Sequence, residues 1–431
     1  MGYVNRRGLL AGAAGLLAAT ATGAAAPAGA GGAGRAGGAA EPTATAAAGA
    51  RAGRGAGVPE FRGMWVATVQ NVDWPSRTGL GAARQRTELL RLLDTAVARR
   101  LNVVVLQVRP AADALWPSAL EPWSQWLTGR QGQDPGWDPL GTAVTEAHAR
   151  GLELHAWFNP YRVAQHDDPA QLVPEHPARR NPGWTVAYGG KLYYNPGIPE
   201  VRAFVQDAMI DAVARYPVDA VHWDDYFYPY PVAGETFDDD EAFAAHGAGF
   251  PSRAAWRRHN IDSLVREMSA RIKAVRPGAR FGVSPFAVWR NRDRDPLGSA
   301  TSAGVGTYDD LYADTRGWVR QKWIDYIVPQ CYWHIGYRPA DYATLVPWWS
   351  QTVAGTGVDL YIGEALYRCD PDSPTAAWRD PAELSRHLTF ARRHAGVRGH
   401  SYFSAKQVVA DPNGAMAKVV ADHYPTAVPP R

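Results

Sequence analysis

Two consecutive carboxylates, Asp224 and Asp225, close the short apolar run Ala220-Val221-His222-Trp223 and lead directly into three aromatic rings, Tyr226, Phe227 and Tyr228. Neighbouring carboxylates removed from water cannot both carry charge cheaply, so one of them keeps its proton nearer to neutrality. A protonated acid beside an ionised one is what general acid and base chemistry requires. Flat rings with a polar handle cover the apolar face of a pyranose while bonding its hydroxyls. Carboxylates set among aromatics therefore point to sugar chemistry. An Asp pair can also cap a loop or hold an Arg, but a strand end beside three rings weighs against that reading.

Side chains alternate along a strand, so Ala220, His222 and Asp224 share one face while Val221 and Trp223 take the other. If the polar face is the inner one, Asp224 stands at a rim with Asp225 at the turn beyond it. Glycoside cleavage generally needs a second carboxylate, about 5–5.5 Å away for retention or about 6.5–9.5 Å for inversion. Glu364, which closes the run Tyr361-Ile362-Gly363-Glu364, is the best-placed partner across the rim, with Asp113 and Asp225 as competitors. It could equally tie down an arginine such as Arg368. The candidate catalytic residues are thus Asp224, Asp225 and Glu364.

Other strand ends offer groups that hold sugar hydroxyls. Gln107 and Arg109 follow one run, Asn159 with Tyr161 and Arg162 another, and Gln330 with Tyr332, Trp333 and His334 a third. Arg109, Asp113, Asn159, Tyr161, His222, Tyr226, Tyr228, Gln330, Tyr332 and Trp333 are the candidate substrate contacts, because their convergence on one rim would make a pocket. No His pair stands at metal-ligand spacing with an acidic third, and no Gly-x-Ser-x-Gly elbow occurs. Neither a metal nor a cofactor is expected, and Ser284-Pro285 reads as a shaping turn.

The elements that must position these residues are short apolar runs alternating with segments of helical period, the pattern of repeated βα units. Eight strands are expected, over 63–67, 102–108, 153–158, 220–224, 281–284, 326–330, 360–364 and 400–404. Helices are expected between them over 84–100, 139–150, 199–215, 254–275, 311–321, 340–354 and 381–395. In the first, Leu89, Leu92, Leu93, Ala96 and Val97 have the spacing of a face laid on a sheet. The count fits one α/β fold, a (β/α)8 TIM barrel over 58–425, better than an open doubly wound sheet. Long βα loops follow strands two, three and four and hold many of the 17 Trp and 19 Tyr, where barrels carry function.

The first 57 residues are expected to lie outside that fold. Asn5-Arg6-Arg7-Gly8-Leu9-Leu10, the Ala/Gly/Leu run behind it and Ala24-Ala25-Ala26 read as a twin-arginine signal over residues 1–30 with a cleavage site. Residues 31–57, mostly Gly, Ala, Pro, Thr and Arg, cannot bury enough surface to offset chain entropy and read as a disordered linker. The protein is therefore expected to be secreted, with cell-wall association open. The apolar run is too short for a permanent span, and without a cysteine near the cleavage region no lipid or membrane anchor is expected. Setting aside residues 1–57, with five Arg and one Glu, takes the formal charge from +3 to −1. That gives no reason to expect nucleic acid as a partner. The oligomeric state is open. Cys331 and Cys369 end two runs that would be neighbours in the barrel, where a disulfide and two buried free thiols are both open.

Several ordered motifs across residues 59–410 resemble the glycosyl-hydrolase-like 10 family, which includes the YddW-type lipoproteins. They are Phe61-Arg62-Gly63-Met64-Trp65-Val66, Asn71-Val72-Asp73-Trp74-Pro75, the run from Val108 through Asp113 and Trp116 to Ser118, and Ala156-Trp157-Phe158-Asn159-Pro160-Tyr161-Arg162. Tyr194-Asn195-Pro196-Gly197, His222-Trp223-Asp224-Asp225-Tyr226-Phe227-Tyr228-Pro229 and Ser284-Pro285-Phe286 complete the set. The resemblance implies a (β/α)8 barrel and a glycoside hydrolase acting on a cell-envelope polysaccharide, foremost the GlcNAc–MurNAc strands of peptidoglycan freed of peptide. It implies Asp224 and Asp225 as active-site acids and Arg109, Asp113, Asn159 and Asn195 as pocket residues. Glu364 rests on the strand-end argument alone. The chain departs from the lipoprotein members in lacking their lipid-bearing cysteine. A glycan-binding barrel without turnover, and an amidase or deacetylase acting on the same polymer, are the other readings.

Overall fold

The computed structural model describes residues 60–429. The export signal expected over 1–30 and the linker expected over 31–57 lie outside the described residues. Eight parallel strands close into a barrel: β1 (Phe61–Val66), β2 (Val103–Arg109), β3 (Glu153–Phe158), β7 (Ala220–Trp223), β8 (Arg280–Val283), β9 (Tyr326–Ile327), β10 (Asp359–Glu364) and β11 (Val397–Tyr402). Each of the eight expected runs contributes one of them. The ring closes where β1 pairs with β11, Phe61 opposite Gly399 through Met64 opposite Tyr402. Between β3 and β7 the chain adds a small antiparallel sheet of β4 (Arg162–Ala164), β5 (Thr185–Tyr188) and β6 (Lys191–Tyr194). It grows out of the long loop after β3, so it sits at the carboxyl ends of the strands.

Helices Ala82–Ala98, Pro139–His148, Pro199–Arg215, Arg253–Val275, Thr315–Gln321, Tyr342–Val353 and Glu383–Ala391 answer the seven expected ones. Four of them start on a side-chain cap from Asp138, Ser252, Asp314 or Asp341; Asp138 accepts from Gly141 N ahead of Pro139, and Ser252 accepts from Ala255 N. Leu89, Leu92, Leu93 and Ala96 are buried as expected, but Val97, read onto the same face, is 45% exposed. It lies one position round the helix from Ala96, past the edge of the apolar stripe.

The phase of the strands decides which residues meet. Trp65, Val103, Val105, Trp157, Ala220, Tyr326 and Tyr361 fill the lumen, while Val221 and Trp223 pack with the outer layer. Gly282 makes room there, since a Cβ on it would lie 2.1 Å from the Tyr326 ring. A polar line runs through the lumen as well. Glu153 Oε2 is 3.0 Å from His155 Nε2, His155 Nδ1 is 2.9 Å from the Tyr326 hydroxyl, and that hydroxyl is 3.0 Å from His222 Nδ1. His222 Nε2 accepts from Trp65 Nε1 at 3.1 Å and lies 2.9 Å from Ser284 Oγ. Burial holds the His222 imidazole well below its usual pKa, so it is neutral.

Cys331 and Cys369 are both buried and both free, so of the two arrangements open for them the structure has the unbonded thiols. Among the described residues no helix is long and apolar enough to cross a membrane.

Candidate active site

β7 delivers His222 to the lumen and, two residues on, Asp224 to the rim at the carboxyl end of the barrel, with Asp225 following. Both carboxylates are nearly sealed, 6% and 7% exposed, so their electrostatics are those of a low-dielectric site. Asp224 Oδ2 accepts from Asn159 Nδ2 at 2.6 Å and from Trp157 Nε1 at 3.2 Å, and its Oδ1 accepts from the backbone of Tyr226 at 3.1 Å. Asp225 Oδ1 accepts from Gln330 Nε2 at 3.0 Å, and its Oδ2 accepts from the Tyr230 hydroxyl. Gln330 Nε2 also reaches the Ser284 carbonyl at 2.8 Å, tying Asp225 to β8.

These surroundings push the two acids apart. Burial raises both. For Asp224 the rise is opposed by the Arg162 guanidinium and by donors from Tyr226, Asn159 and Trp157. Asp225 is pushed up to about 7, first by burial and then by the negative charge of Asp224. Asp225 is thus the member of the pair that keeps its proton toward neutrality, while Arg162 and three donors oppose the rise at Asp224.

Asn159 is itself fixed. Its Oδ1 accepts from Gln107 Nε2 at 2.6 Å and Arg162 Nη2 at 2.8 Å, while Gln107 Oε1 accepts from the backbones of Thr68 and Val69, each at 2.9 Å. Arg162 also donates to the Pro110 carbonyl at 2.9 Å and lies 5.0 Å over the Tyr226 ring. Loops after β1, β2, β3 and β7 thus converge on one carboxylate.

Partly exposed rings run in an arc beside the acids: Tyr226 to Tyr230 at 5.6 Å, Tyr230 to Phe286 at 6.2 Å, Phe286 to Trp333 at 5.4 Å, and Trp333 to Tyr337 at 6.4 Å in parallel planes. Tyr332 continues it toward Tyr367 and Phe403. Partly exposed rings next to sealed carboxylates have the form of a surface on which a pyranose face could rest.

Of the expected contacts, the structure gathers Asn159, Tyr226, Gln330, Tyr332 and Trp333 around the acid pair or its arc. Others stand elsewhere. Arg109 is fully buried, paired with Glu121 at 2.6 Å and donating to the carbonyls of Asn159 and Pro160, so it anchors the loop that bears Asn159. Asp113 is buried, accepts from Ala111 N at 3.0 Å and from Ser124, and is pushed up to about 7, mainly by burial. Tyr161 and Tyr228 are sealed, Tyr228 against Phe237 and Tyr312. Asn195 caps its own turn, accepting from Gly197 N at 2.9 Å. His222 holds the Trp65 indole from below.

Glu364 is not across the mouth, where it was expected. Tyr361 faces the lumen, so three residues later Glu364 faces the helices, fully buried. Its Oε1 accepts from the Tyr342 hydroxyl at 2.8 Å and lies 2.9 Å from His400 Nδ1, and its Oε2 is 2.8 Å from His387 Nδ1. Despite burial, its pKa is held below the usual carboxylate value by these histidines.

Residues not singled out as candidate contacts complete the site. Trp157, Tyr230, Phe286 and Tyr337 all touch the acids or the arc, as does Arg162, which the sequence offered only as a strand-end group beside Asn159. The signal for the β5–β6 hairpin was Gly189-Gly190 between two short runs of alternating character.

The family model described as glycosyl hydrolase-like 10 matches residues 60–380. The chain is 47% identical over 376 residues to glycosyl hydrolase YngK of Bacillus subtilis (strain 168), covering 86% of this chain and 73% of that protein. It is 42% identical over 323 residues to glycosyl hydrolase DigH of Escherichia coli (strain K12), covering 71% and 73%. Among solved structures, the glycoside hydrolase domain of PgaB (BpsB) from Bordetella bronchiseptica is similar with a TM-score of 0.53 at 15% identity, over 84% of this chain and 98% of that one. That likeness is one of fold.

Proposed function

Because the chain belongs to the glycosyl hydrolase-like 10 family, we propose that it is an exported glycoside hydrolase that cuts a cell-envelope polysaccharide, foremost peptidoglycan glycan strands freed of peptide. The observation that carries the reading is the split acid pair, Asp225 raised to about 7 beside Asp224, under the aromatic arc. In it, Asp225 gives its proton to the glycosidic oxygen as the bond breaks. Asp224, charged and held by three donors, faces the positive charge that develops at the sugar carbon, to which a water then bonds while giving its proton to the Asp225 carboxylate. The rings hold the sugar against the acids. The choice of peptidoglycan is supported by the ordered motifs from Phe61 to Phe286, and export by Arg6-Arg7 with the small-residue site after them.

The test is mass spectrometry of products after the full chain is incubated with peptide-free peptidoglycan strands, beside an Asp225→Asn control. Oligosaccharides carrying one added water per cut bond, released only by the unaltered protein, are expected. Strands that stay intact yet sediment with the protein would instead favour a binding role. Loss of acetate or peptide without chain cleavage would favour a deacetylase or amidase.

A further inference from the structure

The face of the β5–β6 hairpin that lies on the loop after β7 carries a cation with no counterpart. Tyr188 pairs with Lys191 and Val186 with Tyr193, which puts these four side chains on one side of the ribbon. That side is anchored to the post-β7 loop: the Tyr188 hydroxyl accepts from Val232 N at 2.7 Å, and the ring packs on Phe237 at 5.9 Å. Tyr193 also sits opposite Arg162 on β4, and Arg162 covers Tyr226. Lys191 thus stands one step along the ribbon from the ring opposite Arg162, whose charge acts on both Lys191 and Asp224.

Among the described residues the Lys191 ammonium has neither a hydrogen-bond acceptor nor a carboxylate at ion-pair distance. It is half-buried, and burial and the Arg162 charge both lower its pKa. Glu235 is held at the same turn, its Oε2 accepting from Gly189 N at 2.7 Å, and forms no ion pair with Lys191. Two neighbouring cations, one unpaired and partly desolvated, favour an anion from outside. Arg162 answers the charge of Asp224, which leaves Lys191 in surplus.

We infer that Lys191, flanked by Arg162 and Tyr193, forms a subsite for a carboxylate borne on the glycan next to the bond that is cut. The inference rests on the proposed substrate and sharpens it: in a muramic acid unit stripped of peptide the lactyl group ends in a free carboxylate, and in a peptide-bearing unit that group is a neutral amide. Lys191 therefore reads the absence of peptide as a negative charge.

Calorimetric binding to the full chain tests this without turnover when every protein compared, the otherwise unaltered one included, carries Asp225→Asn. The probes are a peptide-free GlcNAc–MurNAc tetrasaccharide and the same molecule with its lactyl carboxylates converted to amides. The otherwise unaltered protein is expected to prefer the acid roughly tenfold, Lys191→Met to lose that preference, and Lys191→Arg to keep most of it. Equal affinity for both probes, no binding of the acid, or an unchanged preference in Lys191→Met would overturn the subsite. Release of reducing ends from the polymer is measured separately. Discrimination without cleavage would leave the subsite standing and remove the hydrolase reading.

Discussion

Asn159 Nδ2 lies 2.6 Å from Asp224 Oδ2, and its amide can face only one way. Its oxygen already takes donors from Gln107 and Arg162, whose own orientations are set by backbone groups of other loops. Asn159 therefore offers Asp224 a donor and never an acceptor. Asn159→Ala would leave Asp224, Gln107 and Arg162 short of a partner and let the acid turn. We expect kcat to fall about 10²-fold with a smaller change in KM, checked by steady-state release of reducing ends.

Asp225→Asn removes the proposed proton donor but keeps a side chain that Gln330 and Tyr230 can bind. Turnover should drop by about 10²–10⁴-fold with an unchanged melting profile. Wild-type kcat in this variant would sink the assignment.

A proton donor at Asp225 must be protonated to act, so under the proposed mechanism the rate should decline as pH rises through about 7. Tyr230 donates to Asp225 and lowers its pKa. Tyr230→Phe keeps the ring and deletes that donor, so the alkaline limb of the kcat profile should move to higher pH. A limb that stays put or moves down contradicts this.

Glu364→Gln disconnects a buried carboxylate from His387 and His400. The expected cost is about 3 kcal/mol or more in stability, read as a lower midpoint in denaturant. Activity per folded molecule should persist, because the side chain faces the helices and not the mouth.

Asp113 titrates near 7 in the fold against about 4 in an unfolded chain. The native state then binds more protons than the unfolded one between those values, so this group's contribution to stability is present below about pH 4 and lost as pH rises toward 7. Asp113→Asn should narrow the difference in melting temperature between pH 5 and pH 8 by roughly 2 °C or more, which differential scanning calorimetry would resolve.

The barrel was legible because its strands, buried on both sides, read as continuous apolar runs at regular intervals. The same property hid Glu364. In Leu360-Tyr361-Ile362-Gly363-Glu364 both faces are apolar, so nothing in the pattern says which way the last residue points, whereas His222 between Val221 and Trp223 marks the phase of β7 unmistakably. Asp224, Asp225, Asn159 and Gln330 were legible as polar groups at strand ends. Arg162 as the counter-charge of Asp224, and Lys191 beside it, depend on how a forty-residue loop folds back as a hairpin, and long loops carry little periodic signal.

The line of groups through the lumen has a direction. An indole can only donate and a carboxylate only accept, so Trp65 gives to His222, the neutral His222 gives from Nδ1 to Tyr326, Tyr326 gives to His155, and His155 gives to Glu153. The tautomer beneath the acids is thus fixed from both ends of the line, by the Trp65 indole beside it and by Glu153 at the opposite rim. Replacing Glu153 with a group that can donate would let the whole series reverse, and Trp65 would lose its acceptor although nothing near the mouth had been altered.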